Sequence, residues 1–133
     1  MKRSNTKKGV TRWPADKWFS LCVRLAADNT CENCGGYATD CAHLYGRRKF
    51  TVRWSALNAI ALCRGCHEKF GDEPFLWTDF IDAKWPGRRE QLQVKMRGIG
   101  KNTPEIRAAI SKHYNQEFRR MEATGDRTFE TWN

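Results

Sequence analysis

The chain has 133 residues, 29% of them charged, and a formal net charge of +9. That length suits a single domain with a modest core, the kind that a metal or disulfide staple commonly supports. The basic balance points to a polyanionic partner, above all nucleic acid; no apolar run is long enough to cross a bilayer, and no apolar signal core follows the basic start.

Residues 1–12 carry Lys2, Arg3, Lys7, Lys8 and Arg12 with almost nothing apolar, and read as a flexible basic arm or a solubilising tail. Pro14 suits a first helical turn, and Trp18, Leu21, Cys22 and Leu25 recur at helical spacing, so a helix is predicted over 14–27. Cys22 lies on its apolar face and reads as core. Cys31-Glu32-Asn33-Cys34-Gly35-Gly36 reads as a tight knuckle. A first strand follows between Tyr37 and Leu44 and ends near His43. Gly46-Arg47-Arg48-Lys49 opens a long loop that leads to Asn58. Ile60-Ala61-Leu62 forms a second strand. Cys63 to Phe70 starts as a turn and becomes a helix carrying His67.

Beyond Gly71 the pattern is helical. Asp72 is placed to cap residues 73–84, with Phe75, Leu76, Phe80 and Ile81 as the apolar positions. Trp85-Pro86-Gly87 breaks that helix, and a basic helix over 88–97 ends at Gly98. Thr103-Pro104 starts a last helix with an apolar stripe of Ile106, Ile110, Tyr114, Phe118 and Met121, closed by Gly125. Residues 126–133 read as a loose tail. The expected division is an arm at 1–12, a core with its leading helix at 13–72, a helical extension at 73–125 and the tail.

Six cysteines could form three disulfides in a secreted chain. Two Cys-x-x-Cys pairs without a signal favour a metal in a reducing compartment instead. Each such turn offers two sulfurs, so Cys31, Cys34, Cys63 and Cys66 complete the four-sulfur shell that Zn²⁺ favours. Twenty-eight residues separate the pairs, more than in a simple zinc ribbon. That excess suits a hairpin threaded between the two halves. Cys41 has no partner at a matching spacing and stays outside the shell.

His43, Asn58 and His67 fall within and beside this staple. Phosphodiester hydrolysis needs a base for water and a cation for the phosphate. His43 is the expected general base, and His67 the expected ligand of a catalytic Mg²⁺ or Mn²⁺. Asn58 can both donate and accept, so it could hold the loop and orient the His43 ring. His113 has no such context and reads as a surface or packing residue.

These residues carry a resemblance. Residues 31–70, with Cys-x-x-Cys, a strand ending in histidine and an Asn-x-x-x-Leu-Cys-x-x-Cys-His segment, resemble the HNH, or ββα-metal, nuclease superfamily. Phe19 to Leu25, Arg53 to Asn58 and the late helix Pro104 to Met121 are further similar to the NinG (Rap) recombination endonucleases of lambdoid phages. The resemblance covers most of residues 12–123. It implies an α+β fold, with a zinc-stapled HNH core flanked by an N-terminal helix and C-terminal helices. It also implies metal-dependent cleavage of branched DNA in the cytoplasm of a bacterial host by a phage- or prophage-encoded enzyme. One departure stands out. Many members carry an acidic residue or histidine just before the base, and here that position is Ala42. Asp40 lies on the same strand face as position 42 and could reach the ion directly or through water, or could be a turn residue.

Arg47, Arg48, Lys49, Arg53, Arg64 and Lys69 surround the expected site and are expected to meet phosphates, which gives affinity with little sequence reading. Arg88, Arg89, Lys95, Arg97 and Lys101 form a second basic run. Trp54 and Trp85 could stack on unpaired bases or belong to the core. Three readings stay open: a structure-selective endonuclease, an HNH homing or packaging-type nicking enzyme on linear duplex, and a zinc-stapled DNA-binding module without catalysis. Cutting both strands of a junction would favour a homodimer, with the 106–121 stripe either as its interface or packed on the core.

Overall fold

The computed structural model describes residues 11–133. Most of the basic arm expected at 1–12 therefore lies outside the described residues. Among these the fold is α+β, with five α-helices and one two-stranded antiparallel sheet. None of the helices is long and apolar enough to cross a membrane.

Helix α1 spans Pro14–Ala26. Its start is fixed by Asp16, whose Oδ2 accepts the Trp13 N–H at 2.8 Å. The apolar face is centred on Phe19, Cys22 and Val23, while Trp18 and Leu21 are only half-buried. Asp28 and Asn29 both take φ of 55°, which ends the helix as expected.

Strand β1 is Asp40–His43 and strand β2 is Ala59–Leu62, with Asp40 opposite Leu62 and His43 opposite Ala59. Strand alternation sends neighbouring side chains to opposite faces. Cys41, Ala59 and Ala61 join a core with α1, while Ala42, Ile60 and Leu62 join a second core with Cys31, Phe70 and Ile81. A lone two-stranded sheet is marginal in water. Covering both faces makes this one the partition between two cores.

Helix α2 (Arg64–Asp72) begins at Cys63, whose Sγ accepts the Cys66 N–H at 3.4 Å. Helix α3 is Pro74–Lys84 and α4 is Arg88–Met96. Two expectations fail here. Asp72 ends α2, and Glu73 takes the N-cap position of α3 without a side-chain cap bond. Phe75 and Leu76 are exposed, and Trp77, Phe80 and Ile81 do the packing. The α3 face is rotated because the chain turns directly from α2 into α3.

Helix α5 (Pro104–Thr124) lies along α1 and buries Ile110, Tyr114 and Met121 there, with Phe118 against Trp18. The stripe thus packs on the core, one of the two uses expected for it. Residues 126–133, expected to be loose, are docked. The Trp132 N–H donates to Tyr114 Oη at 2.7 Å, the Ala56 N–H to Thr131 Oγ1 at 2.9 Å, and the Glu130 N–H to Glu117 Oε1 at 2.8 Å. Phe129 packs on Tyr114. Scattered single contacts from backbone N–H groups, the Thr131 hydroxyl and one ring hold this segment, which is why apolar periodicity gives no sign of it.

Candidate metal centre and histidine cleft

The hairpin and the start of α2 bring the two cysteine pairs together. The Sγ atoms of Cys31, Cys34, Cys63 and Cys66 all lie within 4.8 Å of one another. Cys34 and Cys63 sulfurs are 3.7 Å apart. A tetrahedral zinc with Zn–S bonds of ~2.3 Å has sulfur–sulfur edges of ~3.8 Å, so this shell fits the ion. Donors surround the sulfurs: Cys34 N to Cys31 Sγ, Gly36 N to Cys34 Sγ, and Asn33 Nδ2 to Cys66 Sγ at 3.3 Å. Burial works against ionisation of Cys31, but N–H donors from Cys34, Cys63 and Asn33 outweigh it and hold that thiol at about 6. Cys66 gains from the Asn33 amide, yet burial and its three sulfur neighbours drive it up to about 12. Four sulfurs so close cannot all be anionic without a cation. A Cys₄ cluster able to hold a structural metal such as zinc is therefore present. Cys22 and Cys41 stay outside it, both thiols pushed up to about 12 by burial.

Beside the cluster, His43 and His67 line one open cleft of about 500 Å³. Asp40, on the α2 face of β1, accepts from His67 Nδ1 at 2.8 Å and from Arg64 Nε at 2.8 Å. Partial burial opposes ionisation of Asp40, but hydrogen bonds from Arg64, His67 and Thr39 hold it down at about 2. An ionised carboxylate only accepts. In the neutral ring the hydrogen therefore sits on Nδ1 and Nε2 keeps its lone pair, an arrangement common to metal-binding histidines.

His43 points the other way, with its ring against Phe19. Its Nε2 is enclosed without a hydrogen-bond partner. Burial, then the Arg47 charge beside it, pushes its pKa down to about 4. Arg47 also has an enclosed nitrogen, Nη1, with no partner.

Asn58 is fully buried at 0% exposure. Its Oδ1 accepts the Tyr45 N–H at 2.8 Å and its Nδ2 donates to the Tyr45 carbonyl at 2.9 Å. It clamps the backbone two residues after His43, as expected. Both ends of the amide are used there, so the expected contact with the His43 ring gives way to control through the chain.

Arg53 departs furthest from expectation. Its place in a basic loop suggests a phosphate contact, but it is 0% exposed and forms a two-pronged pair with Asp16, Nε to Oδ1 at 3.0 Å and Nη2 to Oδ2 at 2.7 Å. It also donates to the Thr11 and Arg47 carbonyls and lies over the rings of Trp13 and Trp54. It is a core residue that ties the long loop to α1. Trp54 is core as well, and its Nε1 donates to Asp16. Arg64 is exposed but engaged by Asp40, while Arg48, Lys49 and Lys69 lie on the surface. In the second basic run, Arg89 pairs with Asp82 and Arg88 covers Trp85. His113 packs on Tyr114 and the tail.

Sequence reasoning missed the wall contributed by α1. Arg12, Ser20 and Arg24 line the same cleft. The signal was the polar row Asp16, Ser20, Arg24 at four-residue spacing, which marks one face of a helix. Compared with models of protein families, with curated proteins and with solved structures, the chain has no match.

Proposed function

We propose that this protein is a metal-dependent DNA endonuclease with an HNH-type centre, cutting branched DNA of the kind handled in recombination. The observation that carries the reading is the convergence of His43 and His67 on one cleft beside the four-sulfur cluster, with Asn58 clamping the loop between them. Two enclosed polar atoms without protein partners, His43 Nε2 and Arg47 Nη1, belong to residues lining that cleft. Arg47 brings a guanidinium to the cleft wall, the group that pairs with phosphate oxygens.

In this reading water attacks the scissile phosphorus, its proton passes to His43, and the bond from phosphorus to the 3′ oxygen breaks. The enclosed Nε2 leaves Nδ1 as the ring nitrogen to take that proton. His43 is neutral at pH 7, as a base must be. The free Nε2 of His67 would hold Mg²⁺ or Mn²⁺, while Asp40 holds the ring from behind rather than filling the position of Ala42. Such an ion would neutralise charge on the phosphoryl and leaving oxygens. Arg12, Arg24 and Arg47 meet flanking phosphates along the cleft. The cysteine cluster, filled by Zn²⁺, is the rigid base of α2 and fixes His67.

The test is cleavage of matched labelled four-way junction, flap and linear duplex with Mg²⁺, Mn²⁺ or no added ion, beside His43→Ala. Cutting of branched forms that drops at least ~100-fold in the variant supports the reading. Equal cutting of linear duplex moves the enzyme to the nicking class. Binding without cutting under any ion leaves a zinc-stapled DNA-binding protein.

A further inference from the structure

A second groove, of about 510 Å³, lies between the long loop, the turn after α4 and the docked tail. Its rim is Phe50, Ile99 and Trp132, which are 38%, 94% and 41% exposed. The core beneath is already closed, since Trp54 and Ile110 on the groove floor are each 2% exposed. Ile99 is therefore left without packing, and Phe50 and Trp132, which lean on Arg53 and His113, keep over a third of their surface open. Their frame is fixed all the same. Thr51 Oγ1 donates to the Met96 carbonyl at 3.2 Å, and Asn133 Nδ2 to the Thr51 carbonyl at 2.6 Å. Gly100 lies so close that a Cβ there would sit 2.8 Å from Thr51 Cγ2.

Lys95 and Lys101 also line the groove, and no Asp or Glu side chain does; Lys95 Nζ donates to the Asn133 carbonyl at 2.6 Å, which leaves exposed Lys101 as the uncommitted amine. Half-exposed rings beside an uncommitted amine form a surface that unpaired nucleotides take: bases stack on the rings and phosphates meet the amine. An acidic peptide would use Lys101 but would gain little from the two rings.

We propose that this groove binds a single strand of DNA as it leaves the histidine cleft. The long loop joins the two sites. Arg47 lines the cleft and Phe50, three residues on, lines the groove, a chain span of at most about 10 Å. The choice of a DNA strand rests on the endonuclease reading; the stacking surface does not.

The test is binding of labelled oligo(dT), about 20 nucleotides long, to zinc-loaded protein without added divalent ion. Variants are Trp132→Ala, Ile99→Ala and Lys101→Glu, beside Phe75→Ala, an exposed ring on α3 outside the groove, and a linear duplex. Loss of one stacked ring should weaken oligo(dT) binding roughly tenfold. Lys101→Glu should weaken it and flatten its salt dependence. Phe75→Ala should bind as wild type, and duplex affinity should hold. Ile99→Ala, at an almost fully exposed position, separates loss of binding from loss of fold. Wild-type affinity in all three groove variants, or no oligo(dT) binding by the wild type, overturns the proposal. Oligo(dT) binding that depends on the groove in a protein that cuts nothing upholds the groove and overturns the nuclease reading.

Discussion

Asp16 accepts hydrogen bonds from Trp13, Arg53 and Trp54, so one carboxylate joins the start of α1 to the far end of the long loop. Removing a partner from such an enclosed pair leaves an unmatched charge, which costs about 3–5 kcal/mol. Asp16→Ala should lower stability by that much in urea unfolding at unchanged slope, and exposed Lys69→Ala should leave it within about 0.5 kcal/mol. His43 gives a pH signature. Its folded pKa of about 4 lies below the ordinary 6.5, so the unfolded chain takes the proton first as pH falls. Its contribution is complete above about pH 6.5 and is lost towards pH 4, up to about 3 kcal/mol. Urea unfolding at pH 7 and pH 5 should show that loss in the wild type and less of it in His43→Ala. In the proposed enzyme the acid limb of kcat/KM should likewise fall well below 6.5, because that ratio reports the free protein.

At the scale of elements, the hairpin owes its loop geometry to Asn58. Asn58→Ala should remove both bonds to Tyr45 and misplace the segment around His43, with cleavage falling on the order of 100-fold while zinc is retained. Junction cleavage and metal content measured on the same preparation check this. Much of this level was legible in the sequence. Pro14, Pro104 and Gly125 mark helix ends because each residue type suits its local backbone. The knuckles were legible because metal chemistry restricts spacing. Other features joined distant groups with no local mark. Arg53 meets Asp16 across 37 positions, and a lone arginine in a basic loop reads as a surface cation, since unpaired arginine is rarely enclosed. The tail docks through single scattered contacts, two backbone N–H groups, the Thr131 hydroxyl, the Phe129 ring and the Asn133 amide, which share no periodicity. The α1 wall was visible as a polar row, but its role emerges only once β1 lies across it.

For the whole molecule, the sheet divides a helical core of α1 and α5 from a smaller one of α2 and α3 that abuts the sulfur cluster. Cys63→Ser should therefore remove zinc, from one ion per chain to near none, and should lower the unfolding midpoint by ~10 °C or more, because binding and folding are coupled in such sites. Elemental analysis and thermal scanning read the two effects. The cluster also has a topological consequence. It ties residues 31–34 to residues 63–66, so a bound ion closes a ring of chain about thirty residues around. By the arithmetic of cross-links, closing such a ring removes roughly 3–4 kcal/mol of freedom from the unfolded chain. His43, Arg47 and Asn58 all lie inside the ring. The ion thus orders the cleft without touching it, by depriving the alternatives of entropy.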